Sequence, residues 1–320
     1  MSQMQPLAVV GNVNVDLIMG PTEPWPKPGS EVMVDHDELR VGGSAGNAAL
    51  TWAALGYGFQ IAAHTGSDQF GTWLREAFAP HAARWPITDG STTLSVGLTH
   101  PDGERTFFTT RGHLAKLTWP QVRDSLNWPD LAGGYLLLCG CFLMDALVRD
   151  LDALFDHATA RGIKVALDTG WPLQGWTPTA RANALHWVSR SDCLLFNEVE
   201  AMAVSGCQTA EQAALSLRAQ MRGRAQMQGG ALVVIKCGAA GALLHDDSAG
   251  TVRVAAPVVK VVDTIGAGDV FNAAFLGGLS QGLSPVACLG QGVRCASTAI
   301  STLPRRYGSA AQPAPSGITP

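Results

Sequence analysis

The feature that most constrains this chain is an alternation between short apolar runs and longer segments of helical periodicity. The runs LAVVGNV (7–13), FQIAAHTG (59–66), YLLLCG (135–140), IKVALD (163–168), CLLF (193–196) and ALVVIKCG (231–238) have few polar interruptions. Such runs suit strands covered on both faces. Between them, SAGNAALTWAALG (44–56), MDALVRDLDALFDHATARG (144–162), TPTARANALHWVSR (177–190) and TAEQAALSLRAQMRGRA (209–225) read as helices. In the second of these, Leu147, Leu151, Leu154 and Ala158 recur at spacings of three and four, and Gly162 follows as a C-cap. Strand, helix, strand in repeated order predicts an α/β fold, with a mostly parallel central sheet and helices on both faces.

One region breaks the rhythm. TTLSVGLTH and RTFFTTR flank PDGE (101–104), where Asp102-Gly103 signals a tight hairpin. NVDLIMG and SEVMVDHDELRV form a second extended pair, joined by the proline-rich PTEPWPKPG. These four pieces read as exposed and antiparallel, hence as a small β-flap built from residues 12–42 and 92–111 on the α/β body. The rest of the 320-residue chain reads as one domain, with a poorly ordered Ala/Pro/Ser/Gly-rich tail from Gly308.

Composition removes several classes of function. A formal charge of −4, from 22 basic and 26 acidic residues, gives no footprint for nucleic acid or an anionic membrane. No apolar run approaches the length of a membrane span, and the first residues, MSQMQPLAVVG, do not resemble a secretory signal. The seven cysteines contain no CxxC and the eight histidines no HExxH, so free buried thiols and structural or surface histidines are expected. These readings predict a soluble cytoplasmic protein.

The stretch DTIGAGDVFNAAF (263–275) carries the strongest chemical signal. A glycine-rich turn opens an amphipathic helix, where unpaired backbone amides and the helix dipole favour an anion. It is neither GxGxxG, since Phe271 stands at the third glycine, nor a Walker loop, since no Gly-Lys-Ser/Thr occurs in the chain. Asp269 directly follows Gly268. An acid there ordinarily serves the dipole or a cap. Beside an anion site it has a second reading, as the acceptor of a proton from a hydroxyl that attacks a phosphate.

Two weaker signals accompany it. In FNEVEA (196–201), Asn197 and Glu200 lie one helical turn apart after a strand. Taken alone, they read first as a helix cap and second as a partly hydrated Mg²⁺ site. In GNVNVDLI, Asn12, Asn14 and Asp16 repeat at period two, and GGSAGNAA (42–49) brings Asn47 into a first helical turn. Such amides and carboxylates suit sugar hydroxyls, which need both donors and acceptors, although turn chemistry explains each piece as well.

In this order the motifs resemble the PfkB-type carbohydrate kinases, the ribokinase-like family, from about residue 7 to 305. The resemblance rests on DTIGAGDVFNAAF, GGSAGNAA and NEVE. It implies a ribokinase-like three-layer sandwich with the flap as a small β-sheet lid over the sugar. It also implies ATP-dependent phosphorylation of a primary hydroxyl of a pentose, ketohexose or sugar acid. Asp269 would then be the base, and Gly266, Ala267 and Gly268 the anion hole. Asn197 and Glu200 would organise Mg²⁺ and its waters, while Asp16, Gly43 and Asn47, with Asn14, Arg105 and Asp168, would hold the sugar. Lys236, Gly238 and Thr264 would line the nucleotide side, with Cys295 near the adenine. Asp263 and Ile265 fall where the family holds a monovalent cation such as K⁺, and two copies would pair through the lid.

The chain departs from the family pattern at Thr169-Gly170-Trp171-Pro172, at Cys295 and in STLPRRYGSA. A nucleoside kinase of the same family is the rival reading, since residues such as Trp25 in the flap could stack on a base. A catalytically silent sugar-binding regulator is the rival from another class, and an intact GAGD argues against it. The missing GxGxxG disfavours a dinucleotide-dependent dehydrogenase.

Overall fold

A computed structural model of the chain describes residues 4–23, 25–101, 105–221, 230–247 and 250–307. Its strands are β1 (Leu7–Val10), β2 (Asn14–Gly20), β3 (His36–Gly42), β4 (Gln60–Ala62), β5 (Thr65–Gly66), β6 (Ile87–Thr88), β7 (Leu94–Thr99), β8 (Arg105–Thr109), β9 (Tyr135–Cys139), β10 (Lys164–Asp168), β11 (Cys193–Asn197), β12 (Leu232–Lys236), β13 (Ala242–Asp246) and β14 (Gly250–Val254). The α-helices are α1 (Ser44–Ala54), α2 (Gln69–Ala77), α3 (Trp119–Ser125), α4 (Asp145–Val148), α5 (Leu151–Thr159), α6 (Pro178–Arg190), α7 (Glu198–Ser205), α8 (Ala210–Gln220), α9 (Ala267–Ser280) and α10 (Pro285–Ser301).

The central eight-stranded sheet has the order β14-β13-β12-β11-β10-β9-β1-β4. From β4 to β12 neighbouring strands are parallel, and β13 and β14 close one edge as an antiparallel hairpin. Alternate side chains point to opposite faces. Leu7, Val9, Leu137, Leu232 and Val234 join a core packed by α1, α2, α9 and α10. Ala8, Val10, Leu136, Val233 and Ile235 join the core beneath α3 to α8. Because both faces are covered, the interior positions of β1, β9, β10, β11 and β12 are apolar on both sides, which is why these strands appear as nearly continuous runs in the sequence. The three-layer α/β fold expected from the sequence is present.

Local differences from the expectations have local causes. FQIAAHTG splits: Gln60–Ala62 joins the central sheet, while Thr65–Gly66 pairs with Ile87–Thr88 in a separate two-stranded sheet. The helical segment 144–162 is two helices, because Asp150 turns back onto the Leu147 carbonyl and starts α5 afresh. The edge hairpin β13–β14 had no counterpart in the sequence reading. Residues 222–225 of the last expected helix, the Asp102-Gly103 turn and the tail from Gly308 lie outside the described residues.

The four extended pieces of the expected flap do form a separate sheet, of order β3-β2-β7-β8. It is not wholly antiparallel, since β2 and β7 run parallel. Nor is it exposed throughout. Val15 and Val41 belong to the core beneath α1, and Asn14 and Asp16 are buried. Only β3 and β8 keep an apolar outer surface, at Leu39, Phe107 and Phe108. The seven cysteines are free, and all but Cys207 are buried. Among the described residues no helix is long and apolar enough to cross a membrane.

Candidate functional site

Three adjacent parallel strands end in polar residues: β10 at Asp168, β11 at Asn197 and β12 at Lys236. Asn197 and Lys236 are direct partners across β11 and β12. The start of α9 lies over these carboxyl ends, where open α/β sheets bind ligands. Between them is a cavity of about 720 Å³, lined by Asp168, Asn197, Glu200, Lys236 and the 266–269 turn. That volume suits a ligand of nucleotide size.

The turn opening α9 is built on Gly266, whose φ of 72° is left-handed. A Cβ there would also lie 2.7 Å from the Asn47 amide and 3.2 Å from Arg305 Nη1, so glycine meets both a backbone and a space requirement. The amides of Gly266 and Gly268 make no hydrogen bond among the described residues. The Ala267 amide differs from the expectation: it donates to the Thr264 carbonyl, at 3.2 Å. Two free amides at the start of a 14-residue helix are donors of the kind that favour an anion.

Asp269 lies just inside that turn. Its Oδ2 accepts a hydrogen bond of 2.9 Å from Asn47 Nδ2, which comes from the first turn of α1. Burial pushes its carboxyl up to about 6, the charge of Asp168 adds to this, and the Asn47 bond opposes it. Lys236 is the one ammonium within this group. Its Nζ lies 2.8 Å from Asp168 Oδ2 and 3.1 Å from Asn272 Oδ1. Burial works against its charge, but Asp168 and Glu200 outweigh burial and hold it above the usual lysine range.

Asn197 and Glu200 realise the capping alternative. The Glu200 amide donates to Asn197 Oδ1 at 2.8 Å, and Glu200 Oε2 accepts from the Asn197 amide at 3.0 Å. Glu200 is only 4% exposed, and burial, then Asp168, pushes it up to about 7. Both residues nevertheless line the cavity. Capping occupies one carboxylate oxygen and leaves the other, which fits a Mg²⁺ bound mainly through water and phosphate. No group of three or more His, Cys, Asp or Glu residues able to hold a metal occurs among the described residues.

The expected sugar residues are divided: Asn47 meets Asp269, Asn14 and Asp16 bond each other, and Asp168 instead lines the cavity beside Lys236. A chain of hydrogen bonds runs from Asn12 to Asn14 (3.3 Å) and from Asn14 to Asp16 (2.7 Å). Burial raises Asp16 to about 6, partly offset by Arg40 and the Asn14 bond. Gly43 contributes backbone only: with φ 85°, a Cβ would lie 2.3 Å from the Asn12 carbonyl oxygen. Arg105 reaches from β8 to donate to Thr264 Oγ1, at the edge of the cavity.

The surroundings of Asp263 depart from the expectation. Its Oδ1 accepts from the Ile265 amide at 2.9 Å, while Oδ2 accepts from Arg40 Nη1 at 2.6 Å and from Arg305 Nη2 at 2.7 Å. Burial alone would raise its carboxyl, but Arg40, the Ile265 amide and Arg305 together hold it below the usual range. Two guanidinium groups thus share the carboxylate that the resemblance assigned to a monovalent cation.

On the nucleotide side, Gly238 lines the cavity together with Ala256, Pro257, Val258, Val259 and Val261. From α10 come Val293, Ala296, Ser297 and Ile300, at the spacing of one helix face. Cys295 is not on that face. It is buried against Val270, Ala274 and Ala299, so its place beside an adenine is not realised. The 3, 4, 7 spacing in α10 was the available signal for the correct face. Arg40 and Arg305 carried no such signal, since neither belongs to a motif with GAGD and both are far from it in sequence, although Arg305 lies in the divergent STLPRRYGSA stretch.

The model of the pfkB family carbohydrate kinases matches residues 4–307. A ribokinase of Arabidopsis thaliana is 25% identical over 291 residues, covering 89% of this chain and 73% of the relative. A Thermotoga maritima ribokinase structure superposes with a TM-score of 0.73 at 24% identity, covering 98% of each chain. The Arabidopsis ribokinase complexed with ribose and ATP gives a TM-score of 0.74 at 23% identity, covering 96% of each.

Proposed function

Because this chain belongs to the pfkB family of carbohydrate kinases, we propose that it transfers the γ-phosphoryl group of ATP to a primary hydroxyl of a small sugar or sugar acid. One observation carries the reading. Asp269 is a partly buried carboxylate raised to about 6, oriented by Asn47 and adjacent to the free amides of Gly266 and Gly268. The acceptor hydroxyl lies on the Asn47 side. As its oxygen forms the bond to the γ-phosphorus, Asp269 takes the proton and the bond to the β–γ bridging oxygen breaks, releasing ADP. The Gly266 and Gly268 amides, with Ala267 completing the turn, receive the charge spread over the phosphoryl oxygens. Lys236 adds a positive charge on the cavity floor. Mg²⁺, held through Asn197, Glu200 and water, supplies further neutralisation of phosphate charge when bound.

The second sheet acts in this reading as the lid of a single kinase domain and excludes the water that would otherwise hydrolyse ATP. β2, β3, β7 and β8, within the expected 12–42 and 92–111, form it, and Arg105 ties it to Thr264. Asp16, Asn14 and Gly43 hold the sugar beneath it, while Asp168 holds Lys236. The half-exposed Leu39, Phe107 and Phe108 suit pairing with a second copy, which sedimentation at increasing concentration would register as a dimer. Buried free thiols support action in a reducing cytoplasm.

An ADP-release assay over pentoses, ketohexoses, sugar acids and nucleosides tests the proposal. Turnover on a sugar supports it, while preference for a nucleoside moves the reading to the rival kinase. Silence on all acceptors leaves the regulatory sugar binder. Asp269→Asn is expected to lower kcat by about 10³-fold while ATP and acceptor still bind. A variant near the wild-type rate would remove Asp269 as base.

A further inference from the structure

We infer that the guanidinium groups of Arg40 and Arg305 take the place of a monovalent cation at Asp263, so that the anion-hole turn of this chain is set by its own arginines and turnover does not require K⁺. The inference rests on the kinase reading of the 266–269 turn. Both arginines are largely withdrawn from water, with side chains 12% and 11% exposed, and both meet Asp263 Oδ2. The other carboxylate oxygen is taken by the Ile265 amide. The Ile300 carbonyl, at the end of α10, accepts from the amides of Val262 (2.7 Å) and Asp263 (3.2 Å). Both oxygens of the Asp263 carboxylate and the Ile300 carbonyl are therefore engaged by the chain itself. A cation added beside Asp263 would face two fixed positive charges at short range in a poorly solvated setting, where repulsion is weakly screened.

The arginines also supply what a bound ion could not. Arg305 Nη1 lies 3.2 Å from the Cβ position of Gly266, so its charge sits against the anion-hole turn. Arg40 is opposite Asp16 in the β2–β3 register and reaches Asp263 from the second sheet. Arg105, from β8 in the same sheet, reaches Thr264. Two strands of this sheet thus contact consecutive residues of the 263–266 turn. The shape of the turn follows the position of the sheet, and Arg40 and Arg305 act as positioning residues.

The test compares ADP release in KCl with release in tetramethylammonium chloride at equal ionic strength, alongside thermal melting of the ligand-free protein in the same salts. The wild type is expected to turn over within about twofold in the two salts and to melt at the same temperature in both. Arg40→Ala/Arg305→Ala is expected to lose about 30-fold in kcat in tetramethylammonium and to regain much of it in KCl, with a K⁺-specific rise in melting temperature. Loss of a merely structural contact would not be repaired by one ion and not the other. If the double variant fails to fold, Arg305→Lys keeps a charge at the turn and is expected to be slower by a few-fold, equally in both salts. K⁺ activation of the wild type by about tenfold or more, a K⁺-specific melting shift of the wild type, or a folded double variant that K⁺ does not revive would each overturn the inference. Absence of ADP release on every acceptor would instead remove the kinase reading, and the melting comparison would still decide the cation question.

Discussion

Two acidic groups flank the GAGD turn, and they are neutralised very differently. On one side, the single carboxylate of Asp263 receives two guanidinium groups and a backbone amide, and its pKa is held low. On the other, Asp168, Glu200 and Asp269 surround one ammonium, that of Lys236. Glu200 and Asp269 there are pushed up to about 7 and about 6. With Glu38, whose carboxylate lies 3.6 Å from Arg40, the charges of the first group balance and it serves to hold the chain. The second is short of positive charge by roughly what one divalent cation carries, and it includes a carboxylate poised to take up a proton. Under the proposed reading, this deficit is what Mg²⁺ and a transferred proton would answer, and the group around Asp263 shows none.

The contrast is open to attack in several ways. Removing the one ammonium, by Lys236→Met, should have the largest effect. It leaves three acids unbalanced and is expected to cost about 3 kcal/mol in urea unfolding at pH 7.5, with kcat reduced by about 10²-fold. Arg305→Ala on the other side should cost visibly less stability, since Arg40 still meets Asp263. Equal losses would erase the distinction.

The next effect is on pH dependence. A base works only when ionised, so kcat should fall as pH drops through the Asp269 value of about 6, by about tenfold per unit below it. A flat profile between pH 5 and 7 would mean that Asp269 does not limit turnover. Asp16 offers a smaller test of the same principle. Its folded value of about 6 lies above the ordinary 3.8, so the folded state holds the proton more tightly and stability falls as pH rises through that window. Asp16→Asn removes the charge and is expected to raise the stability of the ligand-free protein at pH 7.5 by at most about 3 kcal/mol, with little change near pH 4. Stabilisation equal at both pH values would contradict the burial argument. The smallest change is expected from Glu200→Gln, which still caps α7 but gives up a charge. The Mg²⁺ concentration for half-maximal rate should rise by a few-fold while melting is unchanged or higher. An unaltered Mg²⁺ requirement would leave Glu200 as a cap alone.

The sequence by itself determined the elements whose signals are local. The apolar runs announced β1, β9, β10, β11 and β12 because both faces of a covered parallel sheet demand apolar residues. GAGD announced the start of α9, since glycines, an acid and the onset of helical period lie within one short window. The cap formed by Asn197 and Glu200 was legible for the same reason, as a contact between residues one turn apart. Tertiary structure decided the rest. Nothing local states that β2 pairs in parallel with β7, or that α10 turns Val293, Ala296, Ser297 and Ile300 to the cavity and Cys295 away from it. Arg40 and Arg305 lie 223 and 42 residues from Asp263 along the chain. Which cation meets that carboxylate depends on strand register and on where the segment after α10 returns, and long side chains show no periodicity that reveals either.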